Sequence, residues 1–341
     1  DVYLDDVLLI DDFAFRTASP FIDAPAGVDF TVGIAPANSS SSADAIATFD
    51  YNLAANETYI IVASGIVNPA GYNPVKPSNL EVFAAAREAA SQPGNTDVLV
   101  YHGSTDAPAV DVVETLVTGG ATIVDNAFYG DFAGYLELAT LDYRLAVKDA
   151  TGAVTVKSYE APLNSLGLQN TSLTVLASGF LDPTQNSNGA PFGLFVALPS
   201  GGALIPLPET TARVQVIHNS PDALATAVDV YLNDALLIDD FAFRTASPFI
   251  DAPAGVDFTV GIAPANSSSS ADAIATFDYN LAANETYIIV ASGIVNAAGY
   301  NPAPAFNLEV FAGAREAAST QGNTDVLVYH GSTDAPTVDV V

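Results

Sequence analysis

The chain repeats itself. The run DVYLDDVLLIDDFAFRTASPFIDAPAGVDF from Asp1 returns almost unchanged from Asp229, 228 residues later, and the correspondence holds to the last residue. Of 113 paired positions 11 differ, including Asp5/Asn233, Lys76/Pro304 and Ser78/Phe306, and five of the 11 fall at 69 and 75–78, in one Pro- and Asn-rich loop. Self-similarity at a fixed spacing restricts the fold to copies of one unit set side by side or end to end. A weaker repeat lies inside the first. RVQVIHNSPDALATAVDVY from Arg213 parallels DVLVYHGSTDAPAVDVV from Asp97, and TYIIVASGIVN from Thr286 parallels SLTVLASGFLD from Ser172. Each 228-residue unit therefore holds two related domains, A and B. The spacing predicts an A domain at 1–95 lacking its first strand, a complete B domain at 96–210, a complete A domain at 211–323, and the start of another B domain at 324–341. Both ends cut through a domain, so the natural chain is expected to continue, with any targeting segment elsewhere. A sheet edge lacking its strand would accept one from a neighbouring chain.

Within each domain the pattern is β. Val214–Ile217, Asp229–Leu232, Phe258–Ile262 and Tyr287–Val290 are short runs of β-branched and aromatic residues. Asn233-Asp234 suits a tight hairpin because both residues tolerate positive φ, and Pro253-Ala254-Gly255 reads as a turn. Leu80–Ala90 and its copy Leu308–Ala318 read as strand, followed by a short helical turn or linker. About seven short strands per domain predict an all-β fold of tandem Ig-like antiparallel β-sandwich domains in an elongated array. Each sandwich would be roughly 30–40 Å long at about 3.3 Å per strand residue.

Charge narrows the partners. The chain has 39 acidic and 9 basic residues, a formal −30, spread as −9 over each of the three long segments and −3 over the closing one. Nucleic acid is not expected, because phosphate binding needs Lys and Arg. An acidic surface favours solubility and divalent cations instead. Cys is absent, which excludes disulfides, thiolate zinc sites and thiol nucleophiles. The charge-free stretch Ala161–Leu181 carries Asn164, Ser165, Gln169, Asn170 and Gly179, so direct membrane insertion is not expected either.

At VIHNSPDA, VDVYLNDALLIDDFAF and PAG the sequence resembles the domain-of-unknown-function family 4397, on His218, Ser220, Pro221, Asp222, Asp229, Val230, Tyr231, Asn233, Pro253, Ala254 and Gly255. The resemblance is read over both domain types, hence nearly the whole chain, and implies Ig-like β-sandwiches of exported bacterial and archaeal proteins without an assigned activity. Domain B departs from the pattern, with Thr105 in place of the Pro and ETLVTGGAT from Glu114 in place of the tight hairpin. In architecture alone, near-identical arrays are similar to the giant surface adhesins and grappling-hook filaments of marine gliding Bacteroidota.

Three features carry candidate chemistry. His102, His218 and His330 occupy one repeat position, each in His-x-Ser-x-Asp; residues this close along one loop read as a turn whose side chains satisfy the backbone, so no catalytic residue is expected. The acidic pairs Asp5-Asp6, Asp11-Asp12 and Asp239-Asp240 are candidates for Ca²⁺, which takes oxygen ligands; no other cofactor is expected. Tyr72 and Asn73, with their copies Tyr300 and Asn301, form an aromatic-plus-amide loop suited to a carbohydrate or partner protein. The expected function is a structural repeat of a secreted cell-surface filament or adhesin, giving length and multivalent attachment through self-association. The alternative is a carbohydrate- or protein-binding module.

Overall fold

The structure, a computed structural model, describes residues 1–340. The chain divides into two compact units, Asp1–Pro208 and Glu209–Val341. Alternation dictates the strands. In Ala47–Asn52 and Ala275–Asn280 the sequence ATFDYN turns Ala, Phe and Tyr toward the interior and leaves Thr, Asp and Asn exposed, the period-2 signature of a half-buried strand.

In the second unit two four-stranded sheets face each other. One runs Ile250–Pro253, Thr211–His218, Thr286–Ser292, Asn307–Ala312; the other runs Ala235–Ala242, Ala227–Leu232, Asp257–Pro264, Ala275–Asn280. Val214, Ala252, Tyr287, Ile289 and Leu308 of the first sheet pack on Val228, Val230, Phe241, Phe258 and Ile262 of the second, which makes the fold a β-sandwich. Each buried Val, Leu, Ile or Phe among them contributes about 1.5–3 kcal/mol. Neighbouring strands are antiparallel except one pair. The opening strand Thr211–His218 lies parallel to Thr286–Ser292, with antiparallel Ile250–Pro253 on its other side.

The first unit contains a second sandwich of related design. Phe132–Ala139, Asn95–His102, Ser172–Ser178, Gly193–Ala197 and Ile205–Pro206 form one sheet; Ala121–Ala127, Val110–Glu114, Asp142–Asp149 and Thr155–Pro162 form the other. Val98, Leu173, Val175 and Val196 meet Val112, Tyr143 and Val147 between them. The opening strand Asn95–His102 again lies parallel to Ser172–Ser178. Ahead of this sandwich, residues 1–84 repeat the register of the second unit, Asp29↔Asn52 matching Asp257↔Asn280. They form a four-stranded sheet, Val7–Ile10, Val2–Leu4, Asp29–Ile34, Ala47–Asn52, over the pair Tyr59–Ser64 and Asn79–Ala84, with Phe30, Val32 and Leu80 in a smaller core.

The hairpin residues Asp5 and Asn233 take φ of 51° and 53°. The stretch after Leu80 contains no helical turn. The strand ends at Ala84, Ala85 turns into the left-handed region with φ 57°, and its copy Gly313 has φ 73°. A left-handed residue directly after the strand breaks the right-handed backbone that a helical turn there would need. Residues 324–340 form no strand, and Val326 is 76% exposed where its counterpart Val98 is 5% exposed.

Candidate functional site

The three imidazoles are committed to the backbone. His102 and His330 each place Nε2 3.1 Å from a carbonyl six residues on, of Pro108 and Pro336; His218 places it 2.7 Å from Ala225 O. A carbonyl only accepts, so Nε2 carries the hydrogen. In His218 the Nδ1 acceptor receives the Ser220 N–H at 3.3 Å. Burial pushes both His102 and His218 below the ordinary imidazole range, despite the opposing bond to the carbonyl. The serines are committed too: Ser104 Oγ donates to Gly179 O and Ser220 Oγ to Gly293 O, both at 2.7 Å. Asp106 accepts from the N–H groups of Leu181 and Asp182, and Asp222 from those of Leu224 and Asn296. His-x-Ser-x-Asp is thus a latch holding the loop after the Ser172–Ser178 or Thr286–Ser292 strand.

The acidic pairs Asp11-Asp12 and Asp239-Asp240 sit at a bulge. Val228 pairs with Phe241 and Val230 with Ile238, so the single residue Asp229 opposes both Asp239 and Asp240. Carboxylate oxygens of Asp229, Asp239 and Asp240 lie within 4.8 Å of one another, as do those of Asp1, Asp11 and Asp12. The buried members, Asp1 and Asp229, were missed in the sequence; the signal is the hairpin register that sets them opposite the exposed pair. Asp229 uses one oxygen for the Asp240 N–H at 3.0 Å and the other for Ser267 Oγ. Burial raises its pKa, but these bonds outweigh burial and hold it below the usual carboxylate range. The B-type sandwich has the same bulge with Asn126 in place of the second acid, and Asp111 accepts its N–H at 2.8 Å. The shared feature is a carboxylate tying down a bulge whose residue, Asp12, Asn126 or Asp240, has φ near +50°. Both oxygens of the buried member accept hydrogen bonds, and each keeps a second lone pair on the side of the exposed acids.

The aromatic loops part company between copies. Tyr72 packs against Phe180 with ring centroids 5.6 Å apart, and Asn73 N–H donates to the buried Asn186 Oδ1 at 3.0 Å. Ser187 Oγ donates to Gly71 O at 2.9 Å. Between the two loops lies an open cleft of about 460 Å³, lined by Ile66, Val67, Asn68, Tyr72, Phe180 and Ser187, among others. In the second unit the Tyr300 hydroxyl instead accepts the Ala223 N–H at 3.0 Å, folding onto the Asp222 turn of its own sandwich. Among the described residues Asn301 has no partner of the Asn186 kind.

Around this cleft runs a continuous seam between residues 1–95 and the B-type sandwich. Arg16 lies 3.8 Å above the Phe195 ring and donates to Ser178 O and Pro191 O. Thr17–Ala18 pairs with Gly202–Ala203. Phe83 packs on Phe132 and Tyr135 at 5.3 and 5.8 Å. Lys76 Nζ faces the Tyr129 ring at 5.8 Å. Arg87 bridges Asp97 at 2.6 Å and Glu137 at 2.7 Å, with its guanidinium over Tyr135. Arg16, Lys76 and Arg87 are all the cations of residues 1–95, and every one faces the acidic neighbour. None of these partners was legible from spacing, since each lies on a different segment.

Fold and sites together define an all-β protein of recurring β-sandwiches whose repeated polar side chains latch loops and seams. The family model "Domain of unknown function (DUF4397)" matches residues 1–113 and 212–341, and the chain belongs to that family. Residues 114–211 lie outside the match, so the resemblance read over nearly the whole chain is shown for those two stretches; the ETLVTGGAT loop that departs from the pattern opens the unmatched part. No curated protein matches. Among solved structures, the chain is 11% identical to an alpha-glucan-recognising family 41 carbohydrate-binding module from streptococcal virulence factors, over 57% of this chain and 93% of that one, with a TM-score of 0.16. It is also 11% identical to a candidate cell adhesion protein of Bacteroides ovatus, over 64% and 97%, with a TM-score of 0.15. At these TM-scores neither likeness bears on this chain. Among the described residues no helix is long and apolar enough to cross a membrane.

Proposed function

We propose that the chain is a repeat segment of a secreted cell-surface filament or giant adhesin, non-enzymatic, in which each A- or B-type segment is one Ig-like sandwich supplying length and recurring attachment surfaces. The observation that carries this reading is the seam. In a chain of net charge −30, adjacent sandwiches repel, and the three cations of residues 1–95 all neutralise or stack upon the neighbour. A joint fixed in this way transmits tension and orientation along successive segments, and near-identical copies offer the same lateral surfaces at regular intervals for homomeric assembly. The test is immunogold electron microscopy of native cells with antibodies against residues 1–341. Label repeating along surface filaments is expected; label confined to the cytoplasm would end the proposal.

A second reading is favoured by the cleft beside Tyr72. Half-buried Tyr72 and Phe180 with Asn68 and Ser187 suit a carbohydrate or an extended peptide, with an apolar floor and a few polar groups. A glycan array probed with residues 1–341 would show binding that Tyr72→Ala abolishes; an array without signal rejects the carbohydrate.

A further inference from the structure

The two A-type copies share the Arg, Phe and Arg of the seam, and only the first copy has them covered. Arg244, Phe311 and Arg315 are the counterparts of Arg16, Phe83 and Arg87. Arg244 is exposed, its one ring contact being its neighbour Phe243 at 4.9 Å, whereas Arg16 is half-buried on Phe195. Phe311 is 45% exposed, whereas Phe83 is half-buried on Phe132 and Tyr135. The Arg315 side chain is 60% exposed against 33% for Arg87.

From this we infer that the face of the second unit formed by Arg244, Phe311 and Arg315 is a docking surface for a B-type sandwich with the sequence character of residues 96–208, seated as in the first unit. The inference rests on the repeat-segment reading. Two observations commit it to that occupant. The same residues in the first copy already hold one. The anchor that starts the seam is also present: Arg315 bridges Asp325 at 2.7 Å and Ser319 N–H donates to the same carboxylate at 3.0 Å. These reproduce Arg87–Asp97 at 2.6 Å and Ser91 N–H to Asp97 at 2.8 Å. The occupant supplies aromatic rings at the positions of Phe132, Tyr135 and Phe195, which satisfy an exposed guanidinium and an exposed Phe together. One contact is not reproduced, since Pro304 replaces Lys76.

The chain has no Trp, so one introduced Trp reports alone. Residues 114–210 are appended after Val341, completing a B-type segment, and Phe311→Trp is compared in the original and extended chains, with Phe83→Trp in the original as reference. Acrylamide quenching of the Phe311→Trp reporter is expected to fall by about twofold on extension, toward the Phe83→Trp level, as the ring leaves water. Arg244→Ala in the extended chain is expected to restore quenching. Amide hydrogen exchange of Asn307–Ala312 in the Trp-free chains gives the same comparison without altering Phe311. A folded extension with unchanged quenching and exchange overturns the docking surface alone; an extension that gains no exchange-protected β-structure overturns both it and the repeat-segment reading.

Discussion

Arg16 and Phe195 meet across the seam with the guanidinium 3.8 Å from the ring centroid, while Nη2 donates to Pro191 O at 2.8 Å and Ser178 O at 3.1 Å. Its copy Arg244 has the same flanking sequence and the same left-handed backbone, φ 64° against 58°. The local fold is therefore set by the sequence around the residue, and the role by what stands opposite.

Arg16→Ala is expected to weaken the first unit by about 2 kcal/mol through lost charge-assisted bonds and ring stacking. Arg244→Ala is expected to stay within about 0.5 kcal/mol, as for an ordinary surface substitution. Denaturant unfolding, with hydrogen exchange at Thr17 and Ala18, makes the comparison. Equal effects would mean that the seam contributes nothing.

Asp229→Ala should cost about 1–2 kcal/mol, because it removes the acceptor of the Asp240 N–H and of the Ser267 hydroxyl at a part-buried bulge. Asp239→Asn, on the exposed side of the same cluster, should stay within about 0.5 kcal/mol. Thermal melts in metal-free buffer would read both. A rise in melting temperature on adding Ca²⁺ that Asp239→Asn abolishes would shift the weight of the cluster from hydrogen bonding to cation binding.

The strands, the hairpin at Asn233 and the two-tier repeat were legible because they follow from period-2 alternation and turn chemistry within a few residues. Tyr72 and Asn73 were legible as a surface-facing loop, but their partners Phe180 and Asn186 were not, since no local pattern links positions more than 100 residues apart. The same limit hid Asp1 and Asp229, visible only once the hairpin register places them. The parallel pairing of each opening strand was hidden too, because alternation says which face a strand buries and not which neighbour it takes. The difference between Tyr72 and Tyr300 is beyond any local reading, as the two loops begin with the same residues.

Acid should destabilise the first unit in two stages. Burial would raise the pKa of Glu114, but donations from the Thr118, Val117 and Leu116 N–H groups and the Thr118 hydroxyl overcome it and lower the pKa from 4.5 to about 2. A carboxylate whose folded pKa is depressed stabilises above its unfolded pKa, and that contribution, about 3 kcal/mol here, disappears as pH falls from about 4.5 through about 2. His102, held low by burial, adds a loss beginning nearer pH 6.5, where the unfolded chain takes up the proton first. Stability measured against pH should fall in both windows, and Glu114→Gln should shrink only the lower one, where Asp142, Asp149 and Asp182, also held low by hydrogen bonds, contribute the rest.

The left-handed turn after the seam strand tests strain directly. Ala85 has φ 57° where the second copy has Gly313 at φ 73°. Gly313→Ala should destabilise the second unit by about 1 kcal/mol, since an L side chain is strained there. Ala85→Gly should be neutral to slightly stabilising, relief of strain being offset by the freer unfolded chain. Melting temperatures of the two single variants suffice, and a stabilising Gly313→Ala would contradict the assigned backbone.

Single-molecule force extension of residues 1–341 tests most directly whether recurring segments fold as separate sandwiches. Two main unfolding events are expected, one from the core around Val98–Leu207 and one from that around Ala212–Leu308, each releasing about 350–400 Å for roughly 110 residues at about 3.4 Å per residue. A single cooperative event spanning both, or extension without discrete steps, would contradict it.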